Sequence, residues 1–140
     1  MTSADCRFCS GARPAADHKV ADLGTSVLYL NDDQFFPGWV VLVLKRHVTE
    51  LFELEPDERA RMIDEVSRVA KALQELFAPR KINYACLGNQ IGHVHWHVTP
   101  RLHEDPAPLE AVWSVPHAPL RLAPDALAER IAKVRSRLGL

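Results

Sequence analysis

The sequence predicts an α+β domain: an antiparallel sheet of about five strands, one long helix packed on it, and a second helix at the C-terminus. Three observations carry that reading. "WVVLVLKRH" at 39–47 is a continuous apolar run of the length expected for a strand buried on both faces. Residues 57–77 repeat apolar side chains at three- and four-residue spacing, the period of an amphipathic helix. The elements run strand, strand, strand, helix, strand, strand, helix, and one helix between runs of strands suggests an antiparallel sheet with helical cover.

The 140 residues suffice for one sizeable core. Residues 1–140 are read as that single domain, with 104–140 as a proline-rich extension plus the C-terminal helix. Residues 1–17 are small and polar apart from Cys6 and Cys9. "HKVADLGTSVLYLN" reads as two strands, 18–23 and 25–31, broken at Gly24. The bend "DDQFFPG" ends in Pro37 and Gly38 and leads into the apolar run. "TELFEL" is a short turn of helix for which Thr49 is the expected N-cap.

Pro56 and Asp57 open the long helix, Ile63, Val66, Ala70, Leu73 and Phe77 form its stripe, and Pro79 closes it. "KINYACLGN" and "HVHWHVTPR" then read as two strands joined by a turn at Gly88-Asn89. The stretch 104–124 carries five prolines and reads as extended chain wrapping the surface. "APDALAERIAKVRSRL" is amphipathic, with Leu127, Ile131, Val134 and Leu138 on one stripe.

Apolar residues make up 47% of the chain and charged residues 25%, the balance of an ordinary folded protein. Seventeen cations against eighteen anions leave a net charge of −1, so no global field draws nucleic acid or an acidic membrane surface, and any phosphate contact must be local. No apolar run approaches the ~20 residues of a membrane span, and "MTSADCRFCSGARPAAD" lacks the apolar core of a signal peptide. The expected compartment is the cytoplasm. Three cysteines in such a chain raise metal binding before a disulfide framework.

The densest chemistry lies in "GHVHWHVTPR", where His93, His95 and His97 occupy alternate positions. On a strand they share one face, while Val94, Trp96 and Val98 point into the core. Three readings compete. The first is a solvated polar face with no function. The second is a metal site, because imidazoles two apart on a strand can ligate one ion. The third is covalent catalysis, in which a neutral imidazole attacks phosphorus while its neighbours set its tautomer and assist the leaving group. Spacing does not separate the second from the third.

"NQIGHVHWHVTPR" resembles the signature of the histidine triad (HIT) superfamily of nucleotide hydrolases and transferases, His-φ-His-φ-His-φ-φ with φ apolar. Thr99 at the last φ position is a mild departure. "PGWVVLVLKRHV" and the element order to residue 101 resemble the family too, so the likeness covers about residues 6–103.

The resemblance implies that His95 attacks the α-phosphorus of a nucleotide and forms a nucleotidyl-histidine intermediate that water resolves. It implies that a main-chain carbonyl near His93 holds the other ring nitrogen of His95. His97 would sit over the phosphate oxygens and help protonate the leaving group. The transferase branch carries glutamine at that position, so histidine there implies hydrolysis. Dinucleoside polyphosphates and nucleoside phosphoramidates are the implied substrates. A nucleotide-binding regulator with little turnover and a hydrolase using the triad as metal ligands are the rivals.

"CRFC" places Cys6 and Cys9 in a knuckle, and a structural zinc needs about four nitrogen or sulfur ligands. His47 and His93 are the best completions, and many zinc-containing HIT proteins resemble this pattern. Cys6, Cys9, His47 and His93 are therefore expected to bind one zinc. Cys86 is expected in the core, and His18, His103 and His117 in loops or on the surface without a partner, with His103 a weaker site candidate.

By resemblance, Asn31 holds the ribose, and Asn89 and then Gln90 hold phosphate oxygens. Leu30, Phe35 or Val43 would line the base pocket. Lys45, Arg46 and Arg101 are possible phosphate contacts but read first as charged strand ends in water. Trp113 either packs on the domain or reaches a substrate cleft, its own or a partner's. HIT proteins typically pair as two-fold dimers, which would cover a strand edge. The implied partners are thus a nucleotide and a second copy of the chain, with no nucleic acid and no membrane.

Overall fold

The structure, a computed structural model, describes residues 2–140. Five strands form one antiparallel sheet: β1 (Lys19–Asp22), β2 (Ser26–Leu30), β3 (Val40–Leu44), β4 (Lys81–Ala85) and β5 (His95–Arg101), in the order β1-β2-β3-β5-β4. Two helices complete the fold, α1 (Pro56–Phe77) and α2 (Pro124–Arg137). The predicted class and element order stand. β3 lies at the centre of the sheet, which is why every one of its residues is buried.

The two faces of the sheet differ. Val40 and Leu42 of β3, Leu28 and Leu30 of β2 and Val98 of β5 meet Val66, Val69, Ala70 and Leu73 of α1, with Leu127 and Val134 of α2 in the same core. A second cluster, Leu44, Val48, Leu54, Met62 and Val94, continues it beneath the start of α1. The other face carries His95 and His97, opposite Val43 and Val41 of β3. No helix covers it. The N-terminal segment and the proline-rich stretch do.

Local expectations are corrected at several points. Thr49 is not the N-cap of the short turn Leu51–Glu53; Glu50 is, and the Thr49 hydroxyl reaches Glu53 Oε1 (2.9 Å) instead. Ile63 is 45% exposed, because the buried stripe of α1 runs one residue earlier, through Met62, Val66, Val69 and Leu73. β5 begins at His95, so His93 lies just before the strand, although the Val94 N–H still bonds the Val48 carbonyl (2.7 Å). Arg101 is not a strand end in water. It is 2% exposed and donates to Asp105, Asn83 Oδ1 (2.8 Å) and the carbonyls of Ala107 (2.7 Å) and Glu110 (2.6 Å).

That arginine fastens one end of the proline-rich stretch. The other end is held by Asp33, which accepts from the Leu120 N–H (2.9 Å) and from His117 Nε2 (2.7 Å). His117 therefore has partners after all: its ring also stacks on Phe35 with centroids 4.0 Å apart. His18 is likewise buried, with Nδ1 on the Leu30 carbonyl (3.2 Å), whereas His103 is exposed as expected. No helix among the described residues is long and apolar enough to cross a membrane.

Candidate functional site

A cleft of about 430 Å³ opens on the uncovered sheet face, lined by Phe8, Arg13, Asn31, Asp32, Trp39, Val41, the 87–91 loop, His95, His97 and Trp113. Alternation along β5 turns His95 and His97 to this side and buries Val98 on the other. Trp96 packs partly into the core with its indole nitrogen unpaired.

His95 Nδ1 lies 2.6 Å from the main-chain carbonyl of His93. A carbonyl only accepts, so Nδ1 carries the ring proton and Nε2 keeps its lone pair. Burial lowers the pKa of His95, countered in part by that hydrogen bond, so the neutral form is favoured. Phe8 meets the ring edge-on, with centroids 4.9 Å apart. His97 is set the other way round. Its Nδ1 accepts from the Trp39 indole N–H (3.0 Å), and burial, with His95 adding, pushes its pKa down to about 3. Trp113 closes the cleft beside it, 5.0 Å from the His97 ring and 5.7 Å from the Trp39 ring. Trp113 thus reaches the cleft of its own chain.

His93 serves a different centre. Its Nε2 lies 2.7 Å from the Leu44 carbonyl, which places the ring proton there and bares Nδ1. That Nδ1 stands 3.4 Å from Cys6 Sγ, 3.5 Å from Cys9 Sγ and 3.2 Å from His47 Nδ1. Cys9 Sγ is also 3.4 Å from His47 Nδ1. Ordinary zinc–sulfur and zinc–nitrogen bonds in a tetrahedron give edges of roughly 3.3–3.8 Å, so these four donor pairs stand close to ligand spacing, and all four donor atoms lie within 4.8 Å of one another. Burial lowers His93 further, which favours the neutral, ligating imidazole. Desolvation, and then the Cys6 sulfur beside it, raise the Cys9 thiol, a conflict that a bound dication would relieve. Cys6, Cys9, His47 and His93 can hold a metal ion, and they are the one such group of three or more donors among the described residues. The three triad imidazoles do not form one.

The remaining expected site residues divide. Asn31, Asn89 and Gln90 all line the cleft. Asn31 Nδ2 is committed to the Asp33 carbonyl (3.1 Å), which leaves its side-chain oxygen as an acceptor. None of the proposed base-pocket residues lines the cleft: Leu30 is in the helix-side core, Phe35 stacks on His117, and Val43 faces the metal cluster. The apolar lining comes from Val41, Trp39, Leu87, Ile91, Phe8 and Trp113 instead. Lys45 pairs with Asp22 (2.5 Å) and Arg46 with Glu58 (2.8 Å), away from the cleft. Cys86 is half-buried against the second core cluster, as expected.

Sequence reasoning passed over Arg13, Asp32, Trp39 and Phe8. Asp32 Oδ1 is buried without a hydrogen-bond partner, while Arg13 lies 3.7 Å from the other carboxylate oxygen. Parity alone pointed to Trp39, which precedes Val41 by two residues and so shares the triad face.

Comparison with known proteins bears on this arrangement. The family model for the HIT domain matches residues 13–104. The chain is 27% identical over 94 residues to the bis(5'-nucleosyl)-tetraphosphatase (asymmetrical) of Schizosaccharomyces pombe, covering 64% of this chain and 52% of that protein. It therefore spans about half the length of that relative. It is also 27% identical over 112 residues to an adenosine 5'-monophosphoramidase of the same yeast, covering 75% of this chain and 78% of the relative. Among solved structures, a histidine triad protein from Marinobacter aquaeolei superposes with a TM-score of 0.82 at 32% identity, covering 91% of this chain and 93% of that one. A zinc-bound histidine triad family protein from Mycobacterium smegmatis gives 0.70 at 25% identity, covering 99% and 96%. With the family model matching residues 13–104, which include the triad and all five strands, and the fold superposing on a histidine triad protein, the chain belongs to the histidine triad superfamily.

Proposed function

We propose that the protein is a nucleotide hydrolase that cleaves at the α-phosphate through a nucleotidyl-histidine on His95. The carrying observation is the 2.6 Å contact of His95 Nδ1 with the His93 carbonyl, which bares Nε2 in the wall of a 430 Å³ cleft. The Nε2 lone pair forms a nitrogen–phosphorus bond as the bond from phosphorus to the leaving oxygen or nitrogen breaks, its electron pair departing with the leaving group. Water then forms a phosphorus–oxygen bond and gives up a proton to solvent, the nitrogen–phosphorus bond breaks with its electron pair returning to Nε2, and a leaving nitrogen takes its proton from solvent. His97 stands over the phosphate oxygens, with Asn89 and Gln90 on the facing loop. Asn31 takes the ribose, and the Asp32 carboxylate in the cleft wall offers a second acceptor for its hydroxyls. The two yeast relatives support dinucleoside polyphosphates and nucleoside phosphoramidates as the substrate classes.

Cys6, Cys9, His47 and His93 would bind a structural zinc that ties the N-terminal segment to the strand carrying His95. The donor set, its spacing and the zinc-bound neighbour support that assignment. Free thiols at Cys6 and Cys9 suit a reducing compartment such as the cytoplasm. β4 is a free edge of the sheet with Tyr84 exposed, whereas β1 at the other edge is bound by α2 through Arg135 and the Val20 carbonyl (2.7 Å). Pairing of two copies would cover the β4 edge.

The test compares wild type and His95→Ala on diadenosine tetraphosphate, with metal measured on both. The expected result is turnover by wild type, loss of at least ~10³-fold in the variant, and about one zinc per chain in each. Tight AMP binding without turnover by wild type would make the protein a nucleotide-binding regulator. Loss of metal together with activity in His95→Ala would make the triad a metal site.

A further inference from the structure

An indole nitrogen donates a hydrogen bond and accepts none. Trp39 Nε1 lies 3.0 Å from His97 Nδ1, so that ring atom must present its lone pair, and the proton of the neutral imidazole sits on Nε2. Protonating the ring would bring a second N–H against the indole N–H. Trp39 is held so that it cannot yield. Its carbonyl accepts from the Asn31 N–H (2.9 Å) and from Gln34 Nε2 (2.8 Å), its ring packs on Phe36 and Trp113, and it is 5% exposed.

Building on the reading of the cleft as a nucleotide hydrolase site, we infer that Trp39 is a positioning residue that holds His97 as a neutral Nε2–H donor, and that the site therefore favours phosphoric anhydrides over phosphoramidates. A neutral imidazole can hydrogen-bond an anionic phosphate oxygen, but it is a poor acid. When His95 Nε2 bonds to the α-phosphorus of a dinucleoside polyphosphate, the bond to the bridging oxygen breaks. Its electron pair leaves on a phosphate, an anion stable in water without a proton. When the same attack falls on a phosphoramidate, the phosphorus–nitrogen bond breaks and the nitrogen must gain a proton to leave as an amine. Trp39 withholds the group best placed to give it. The low pKa of His97 agrees, with burial as its main cause. His95 faces it with ring centroids 5.1 Å apart, Arg13 and Asp32 line the same cleft, and Lys81 lines the adjoining pocket. Trp39 and Trp113 are the other rings against it, and neither carries a charge, while Val41 and Ala85 flank it on the neighbouring strands.

The experiment has two parts. Imidazole ¹⁵N spectra of the wild-type protein, assigned with His97→Gln, report which ring nitrogen of His97 bears the proton. Steady-state kinetics then compare diadenosine tetraphosphate with adenosine 5'-phosphoramidate in wild type and Trp39→Phe, which keeps the aromatic packing and removes the donor. The expected results are a bare Nδ1 on His97 and kcat/KM at least ~100-fold higher for the anhydride in wild type. In Trp39→Phe the anhydride kcat should fall about 10- to 100-fold with little change in KM, and the ratio of the two substrates should move at least about tenfold toward the phosphoramidate. A proton on Nδ1 in wild type overturns the proposal, as does an unchanged substrate ratio in a folded Trp39→Phe. Faster phosphoramidate cleavage by wild type overturns the substrate preference. If wild type cleaves neither substrate, the hydrolase reading itself fails, and with it the preference; the spectra still decide whether Trp39 sets the tautomer.

Discussion

The three imidazoles of one short stretch differ in which nitrogen is free, and each difference traces to one acceptor or donor. The Leu44 carbonyl bares Nδ1 of His93 toward two sulfurs, the His93 carbonyl bares Nε2 of His95, and the Trp39 indole puts the proton of His97 on Nε2. The residues that set these states must be held in place themselves, and Gly38 is a case in point. It takes φ +87°, and a Cβ there would come within 2.5 Å of the Phe77 ring. Gly38→Ala is expected to destabilise the protein by about 1–3 kcal/mol in urea unfolding, from backbone strain and the displaced ring. An effect below about 0.5 kcal/mol would mean that Phe77 moves aside freely.

At the scale of elements, the proline-rich stretch is a strap pinned at both ends, with Trp113 between the pins. Arg101 fastens its start and the Asp33–His117 pair its end. The bond to Asp33, chiefly, raises the His117 pKa above the ordinary 6.5; burial works against it, and the Val115 carbonyl and the charge of Asp33 add to it. Burial pushes Asp33 up, but the Leu120 and Phe35 N–H groups and His117 outweigh it and leave Asp33 below 3.8. The histidine's contribution is therefore complete below its unfolded value and lost as pH rises through its raised folded value. The carboxylate's contribution is present above its unfolded value and lost as pH falls through its lowered one. Hydrogen exchange over residues 111–122, corrected for intrinsic rates, should show strongest protection between those limits and a decline as pH passes above the histidine range. His117→Phe, which retains a ring against Phe35, should abolish that decline; equal protection at about pH 5 and pH 8 in wild type would sink the idea.

At the scale of the whole molecule, the metal cluster and the cleft share one piece of chain. Phe8 lies between the two cysteines and touches both His93 (5.6 Å) and His95 (4.9 Å), so the knuckle that would hold zinc also seats an aromatic ring on the proposed nucleophile. Removing zinc with a chelator is expected to cost on the order of several kcal/mol of stability and to lower kcat, because Phe8 loses its anchor. Both should return on adding zinc alone. A thermal midpoint unmoved by chelation, with metal loss verified, would remove the structural role.

Much of this was legible from residue order, because strand and helix periods are local. The apolar run at 40–44, the stripe of α2 and the shared face of His95 and His97 follow from spacing. The apolar stripe of α1 was legible to within one residue, since Ile63 and Met62 are both apolar and only packing chooses between them. Arg101 and His117 were misread for a different reason. The strap brings Glu110 and Ala107 carbonyls to Arg101 and carries His117 to Asp33, and its path has no period to read. Leu30 failed because alternation does not say which face the helices cover, whereas Val43 shares the triad face but sits beside the metal cluster. By itself the sequence determined the fold class and the triad, since these are patterns of residue type and spacing, and with the family resemblance it pointed to the four candidate metal ligands. Only the tertiary structure decided where each imidazole proton sits, which side chains wall the cleft and where the strap lies. Those depend on contacts between segments as far apart as Trp39 and His97, which no local pattern encodes.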